Sequence, residues 1–355
     1  MATSHNDLHI AYILSDAFVL PFVASATSVA ENTAHDVCFH VLFASGNLQR
    51  RHRKRIQDLL EPPVDFLRIP SSRFQVFDNP RFGVEAFLKL ALPHALPQLS
   101  KCLYLDCDTI VRADVASLFQ TNTDGFPLAA VQDVWIPYVS SPEGVQRWQE
   151  LGLNAETPFF NSGVLLLDLE RLRGMSLLAQ ARRYVRNHRS EMNKMGDQEV
   201  QNALLAGNWA PLDLAWNAVP PLYRRTRRPT LSLLEERGLT ESDVTQRAKI
   251  IHFTGFLERP WKAESLLTRT HPHPERSTFN RYLRKSGWFS ASEWWTYQAA
   301  FYRHRTTKTL RDLTRPLRHR ARQSVAAHLG IDLPFLGGER SRQDPPVDSS
   351  PLQDA

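Results

Sequence analysis

The feature that most constrains this chain is an alternation through roughly its first hundred residues, in which short apolar segments are separated by segments of helical period. His9-Ile10-Ala11-Tyr12-Ile13-Leu14 is apolar and too short for a core helix, so it reads as a buried strand. Helical spacing follows over about Val19 to Glu31. Then come a strand over Val37 to Phe43, a basic helix around Leu48 to Leu60 and a strand over Val64 to Ile69. A helix over Phe82 to Leu96, stopped by Pro97, precedes a strand over Lys101 to Leu105. Such alternation makes an α/β fold, a mostly parallel sheet with helices on both faces. Ligands of such sheets bind beyond the carboxyl ends of the strands, so polar residues just after strands are the first site candidates. Further strands are expected over Leu128 to Val131, Gly163 to Leu167 and Lys249 to Phe253, with helices over roughly 175–190 and 196–206.

With 355 residues, 42% hydrophobic and 23% charged, the chain can bury a sizeable core; collagen, coiled coil, low-complexity protein and disulfide scaffold are excluded. Cys38, Cys102 and Cys107 are an odd number without paired-ligand spacing, which points to a reducing compartment and away from a cysteine-based zinc site. The most apolar N-terminal stretch, Leu8 to Ala30, is interrupted by Asp16 and lacks an Arg/Lys-rich leader. No transmembrane span is visible, and a cytoplasmic location is expected.

The strand Cys102-Leu103-Tyr104-Leu105 ends in Asp106-Cys107-Asp108, followed by Thr109-Ile110-Val111. Carboxylates at i and i+2 face opposite sides of a regular strand, but in a turn just past its end they can converge on one cation. Hard oxygen ligands suit Mn²⁺ or Mg²⁺, which take substrate phosphates as further ligands. The same tripeptide is also a common turn or helix-cap sequence. With its flanks, however, Leu103 to Val111 resembles the nucleotide-sugar site, with its DXD motif, of glycosyltransferase family 8. That family includes bacterial lipopolysaccharide galactosyl- and glucosyltransferases and glycogenin. Segments from about residue 8 to 262 match it in order. The resemblance implies a GT-A fold, a nucleotide-sugar-binding domain around a mixed, mainly parallel sheet. It also implies a retaining, Mn²⁺-dependent hexosyltransferase that uses UDP-sugars.

The resemblance assigns roles residue by residue. Asp16 holds the uracil and Phe18, where Tyr is common, stacks on it; alternatively Ser15 or Asp16 caps a helix and Phe18 is core. Lys89, in Lys89-Leu90-Ala91-Leu92-Pro93, stands seventeen residues before Asp106, where the family has an Arg reaching the nucleotide-sugar. A Lys there gives a point charge without the bidentate fork, and an exposed helix lysine is the alternative. Asp133 matches an acid near the sugar or acceptor. Asn161, in Phe159-Phe160-Asn161-Ser162-Gly163-Val164, is expected to bond sugar hydroxyls, while Gly163 permits close backbone approach; plain turn chemistry is the other reading. Asp197 and Gln198 open a helix beside the transferred sugar, with Gln198 near the reacting carbon; a helix cap at Asp197 is the alternative. His252 is the implied third ligand beside Asp106 and Asp108, and Gly255 with Arg259 is implied to hold the diphosphate. Here Arg259 replaces the usual Lys, with one extra residue between Gly255 and Pro260. Retention allows double displacement, with Gln198 or Asp197 as nucleophile, or same-face attack in which a diphosphate oxygen takes the acceptor proton. The second is favoured because an amide is a poor nucleophile.

The expected organisation is a GT-A domain over 1–265, an aromatic and basic helical C-terminal extension over 266–335 and a disordered tail over 336–355. Residues 303–322 carry eight Lys or Arg against Asp312 alone, which accounts for the whole net charge of +6. Leu310, Leu313, Leu317 and Ala321 recur there at helical spacing beside a row of arginines, interrupted by Pro316. A basic amphipathic helix next to clustered Trp and Tyr suits an anionic membrane surface, hence a peripheral site on the inner face and a glycan or glycolipid acceptor such as lipopolysaccharide. Arg224, Arg225, Arg227 and Arg228 add a second basic cluster, but no nucleic-acid module accompanies it, so no nucleic-acid partner is expected. A catalytically degenerate sugar-nucleotide-binding or scaffold protein is the competing reading of the whole.

Overall fold

The computed structural model describes residues 7–78, 83–123, 125–188, 192, 196–223, 228–255, 259–262 and 273–299. A seven-stranded sheet runs in the order β3-β2-β1-β4-β7-β6-β8. Its strands are β1 Leu8–Ile13, β2 Val37–Ala44, β3 Val64–Ile69, β4 Lys101–Leu105, β6 Leu128–Gln132, β7 Phe160–Asp168 and β8 Ala210–Pro211. β5 (Thr109–Val111) and β9 (Ile250–His252) form a separate two-stranded antiparallel ribbon. β1, β2, β3 and β4 are mutually parallel, β7 is antiparallel to β4 and β6, and β8 is parallel to β6. The mixed, mainly parallel α/β sheet expected from the sequence is therefore the fold.

The nearly unbroken apolar runs of β1, β2, β4, β6 and β7 follow from burial on both faces. One core packs Ile10, Tyr12, Phe39 and Val41 against the helix Val19–Asn32 and the helix Arg276–Lys285. The other packs Ala11, Leu42, Tyr104 and Leu165 against residues of Glu85–Ala91, Leu177–His188 and Asp197–Leu205. Phe279, Tyr282, Leu283 and Trp288 are buried in the first core, so the aromatic segment just beyond residue 265 packs on the same sheet. The expected basic helix over 303–322, the tail over 336–355 and Arg224, Arg225 and Arg227 lie outside the described residues. Among the described residues no helix is long and apolar enough to cross a membrane.

One expected helix is built differently. Instead of a single helix over Phe82 to Leu96, a 3₁₀ helix covers Glu85–Ala91 and a short α-helix covers Leu92–Ala95. Pro93 has no N–H to give the Lys89 carbonyl four residues earlier, so one α ladder cannot run through this stretch, and the α turn begins with proline at its start. The structure also adds β5 and β8, too short for periodicity to register, and starts β7 three residues before the expected Gly163.

Candidate functional site

β1 and β4 are parallel neighbours, so Asp16, after β1, and the Asp106–Asp108 turn, after β4, emerge at the same end of the sheet. Cys107 ties them together by donating from Sγ to the Ile13 carbonyl at 3.0 Å. β9 lies antiparallel to β5 with His252 opposite Thr109, which carries the ring of a residue far along the chain to the carboxylates. His252 Nε2 lies 3.3 Å from Asp108 Oδ1 and 3.6 Å from Asp106 Oδ2. One ligand atom from each of the three residues lies within 4.8 Å of the others.

The ring is held in one tautomer by a directional chain of hydrogen bonds. The Asp133 carboxylate only accepts, and its Oδ2 takes Asn161 Nδ2 at 2.9 Å and Gln198 Nε2 at 3.0 Å. Asn161 Oδ1 takes the Gly163 backbone N–H at 3.0 Å, which fixes this amide from its other end. Asn217 must then offer its Nδ2 to Asn161 Oδ1, at 2.9 Å, and its oxygen to His252 Nδ1, at 2.9 Å. Neutral His252 therefore carries its proton on Nδ1 and a bare lone pair on Nε2. That Nε2 is buried, has no hydrogen-bond partner and faces two carboxylates. Two carboxylates and one oriented imidazole nitrogen fit a Mn²⁺ or Mg²⁺ ion, and the amide behind the ring is the outer-shell partner such ligands require. Burial works to lower the His252 pKa, but Asp108 and Asp106 hold it above its ordinary value. Burial works to raise Asp108, yet His252 and the charge of Arg259 hold it below the usual carboxylate range.

Gly163 makes the cluster possible. A Cβ there would sit 2.2 Å from His252 Cε1 and 2.8 Å from Asp106 Oδ2. The glycine lies in a break of register between β6 and β7, where Ala130 pairs with Leu165 but Val131 pairs with Asn161. This irregularity aims Asn161, Ser162 and Gly163 into the site.

Lys89 is buried rather than an exposed helix lysine. Its Nζ lies 2.9 Å from Asp197 Oδ2 and 3.7 Å from Asp106 Oδ1, and it donates to the Ser162 carbonyl at 3.1 Å. Burial works to discharge it, and the two carboxylates keep its pKa raised. Asp197 is the first residue of its helix, with Gly196 at the cap position, and its Oδ2 accepts from Ser162 Oγ and from Gln201 Nε2, each at 3.2 Å. Burial raises its pKa, against the charge of Lys89. Gln198 has both ends of its amide engaged, with Oε1 accepting from the Ser162 N–H at 3.1 Å and Nε2 on Asp133. The other Asp133 oxygen accepts from the N–H groups of Trp135 and Ile136, at 2.8 and 3.0 Å, so protein donors occupy both oxygens. Ser15 makes no side-chain cap bond to the 3₁₀ turn Asp16–Phe18; Asp16 Oδ1 instead takes the N–H of Gln49, at the start of the helix Arg50–Leu59, at 3.0 Å and lies 2.7 Å from His52 Nδ1. Burial opposes these contacts, but they hold the Asp16 pKa below its usual value. Phe18 is half-buried, with the Arg259 guanidinium 5.1 Å from its ring centroid. Arg259 Nε donates to the Gly255 carbonyl at 3.2 Å, and Gly255 adopts φ 101°, a left-handed bend that favours glycine.

The site thus falls into two connected groups. Asp106, Asp108 and His252 face one another, and Lys89 links Asp106 to Asp197 and Ser162, whose N–H in turn bonds Gln198. Sequence reasoning missed Asn217, Ser162 and Tyr104, whose hydroxyl donates to Asp106 Oδ1 at 2.5 Å. Asn217 ends the 3₁₀ turn Leu214–Asn217, and nothing local distinguishes it from any loop asparagine.

The family described as Glycosyl transferase family 8 matches residues 9–265. General stress protein A of Bacillus subtilis is 21% identical over 288 residues, 79% of this chain and 94% of the relative. The lipopolysaccharide 1,2-glucosyltransferase of Escherichia coli is 24% identical over 265 residues, 72% of each chain. Among solved structures, the galactosyltransferase LgtC in complex with donor and acceptor sugar analogs superposes with a TM-score of 0.66. It is 21% identical, and the match covers 80% of this chain and 98% of that one.

Proposed function

The chain belongs to glycosyl transferase family 8, and on that premise we propose that it transfers a hexosyl group, glucose or galactose, from a UDP-sugar to a hydroxyl of a glycan or glycolipid. Retention at the anomeric carbon is part of the proposal. The observation that carries it is His252, locked with its bare Nε2 toward Asp106 and Asp108 at the end of the sheet where Asp16 and Phe18 also stand. The names of a relative, a lipopolysaccharide glucosyltransferase, and of a structural neighbour, a galactosyltransferase, support a hexosyl donor and a surface-polysaccharide acceptor such as lipopolysaccharide.

Asp106, Asp108 and His252 hold Mn²⁺ or Mg²⁺. When bound, such an ion offsets charge on the departing diphosphate without moving a proton. Arg259, beyond the Gly255 bend, supplies a second positive charge to the diphosphate. Asp16 accepts from a base N–H through Oδ2, its Oδ1 being committed to Gln49 and His52, and Phe18 offers its ring to the base. Lys89 holds Asp197 and Asp106 in one arrangement. The Asp133 carboxylate orients Asn161 and Gln198, whose remaining amide hydrogens are available to the sugar.

These contacts favour same-face substitution. Gln198 is an amide with both ends bonded, and Asp197 is ion-paired to Lys89, so neither is an activated nucleophile. The acceptor hydroxyl attacks as the glycosidic bond to the diphosphate breaks, and a diphosphate oxygen takes its proton. The Asp197 carboxylate stabilises positive charge developing on the sugar, joined by the Gln198 Oε1 lone pair that Ser162 does not take. The test is a panel of UDP-sugars with Mn²⁺, read as UDP release. Turnover with UDP-glucose or UDP-galactose that Asp106→Asn abolishes is the expected result. No Mn²⁺-dependent turnover with any member would leave a sugar-nucleotide-binding protein instead.

A further inference from the structure

A second cluster of metal-binding side chains stands at the start of the sheet, away from the Asp106–Asp108 turn. His9 pairs with Cys38 between β1 and β2, and His40 pairs with Asp65 between β2 and β3. Register and the two-residue period of a strand place all four on one face. That face is otherwise apolar, since Ala11 and Leu42, the next residues along it, belong to the second hydrophobic core. Burying two imidazoles there needs a compensating interaction. His9 and His40 are 8% and 3% exposed, while Cys38 reaches partly to solvent.

The donor atoms converge. His9 Nδ1 lies 3.1 Å from His40 Nε2, and one ligand atom of each of His9, Cys38 and His40 lies within 4.8 Å of the others. Two nitrogens bound tetrahedrally at about 2.0 Å stand roughly 3.3 Å apart, close to the spacing found. His40 Nδ1 is buried without a hydrogen bond, 3.6 Å from Asp65 Oδ2. A carboxylate there favours the proton on Nδ1 and a lone pair on Nε2, the carboxylate–histidine–metal arrangement. Burial lowers the pKa of both imidazoles, at His40 against the nearby Asp65 carboxylate.

We propose that His9 Nδ1, His40 Nε2 and Cys38 Sγ form a second cation site, for an ion of the Zn²⁺ class, that staples β1 to β2. Two imidazoles and a thiolate select a borderline-soft ion, unlike the oxygen-rich Asp106, Asp108 and His252 set. Binding releases the Cys38 thiol proton to solvent, and water completes the fourth position on the exposed side. The sequence showed no paired-cysteine spacing; this site needs one cysteine and draws its histidines from two strands.

Co²⁺ is the probe, because a thiolate ligand gives it a near-ultraviolet charge-transfer band that Asp and His cannot supply. Full-length Asp106→Asn/Asp108→Asn protein, stripped with chelator and titrated with Co²⁺, is expected to develop that band to one equivalent, with Zn²⁺ displacing it. Cys38→Ser should abolish the band, His40→Gln should weaken Co²⁺ binding at least tenfold, and Asp65→Asn should weaken it about 10–100-fold. Zn²⁺ should raise the melting temperature of the parent but not of Cys38→Ser, whose metal-free melting temperature should match the parent's. Absence of the band in the parent, or its persistence in Cys38→Ser, overturns the site and leaves a hydrogen-bonded histidine pair.

Discussion

At the scale of single residues, the site depends on which nitrogen of His252 is bare, and Asn217 decides that from behind the ring. Asn217→Leu removes the acceptor for the Nδ1 proton, and Mn²⁺ affinity is expected to fall about 10–100-fold, read by calorimetric titration. Gly163→Ala should do comparable damage by another route, because its Cβ would press on His252 Cε1 at 2.2 Å. Its signature is weaker Mn²⁺ binding together with a lower melting temperature. The pH dependence follows from the same ring. The His252 pKa is raised above its unfolded value of 6.5, first against burial and then by Asp108 and Asp106. The metal-free protein therefore has this contribution in full below pH 6.5 and loses it as pH rises through the folded value. Mn²⁺ competes with the same proton, so Mn²⁺ affinity should rise over that interval. Denaturant unfolding with and without Mn²⁺ checks both signs, and parallel curves would contradict the shared atom.

At the scale of elements, two short pieces assemble the site. The β5–β9 ribbon brings His252 to the carboxylates, and the helix Asp197–Leu205 brings Asp197 and Gln198 against β7. That helix is docked by Asn202, whose amide both accepts from the Phe160 N–H, at 2.8 Å, and donates to the Phe160 carbonyl, at 2.9 Å. Asn202→Ala leaves both buried backbone groups unpaired at about 1–3 kcal/mol each. We expect a lower melting temperature and a raised donor KM, since Gln198 lies one turn away on the same helix. The motif around Asp197 was legible in the sequence, but the use of Asn202 was not, because its partner lies in another element.

At the scale of the whole molecule, the helix Arg276–Lys285 is part of the first core through Phe279, Tyr282 and Leu283. Phe279→Ala is expected to cost about 3–5 kcal/mol, as for other large aromatic truncations. Truncation after residue 265 should therefore abolish cooperative unfolding, whereas truncation after 302 should preserve it together with UDP-sugar hydrolysis. The same 302-residue protein should bind anionic liposomes more weakly if the basic stretch 303–322 meets a membrane; equal binding would count against that role. The sequence by itself determined the α/β class and the parallel half of the sheet, because period and burial are properties of consecutive residues. It also determined the Asp106–Asp108 turn and, through family resemblance, the candidate residues. Only the tertiary structure decided that Lys89 is buried between Asp106 and Asp197, that Asn217 orients His252, and that His9, Cys38 and His40 converge on one sheet face. Each of these depends on the register and crossing of elements distant in the chain, and no local pattern of residues encodes which strands become neighbours.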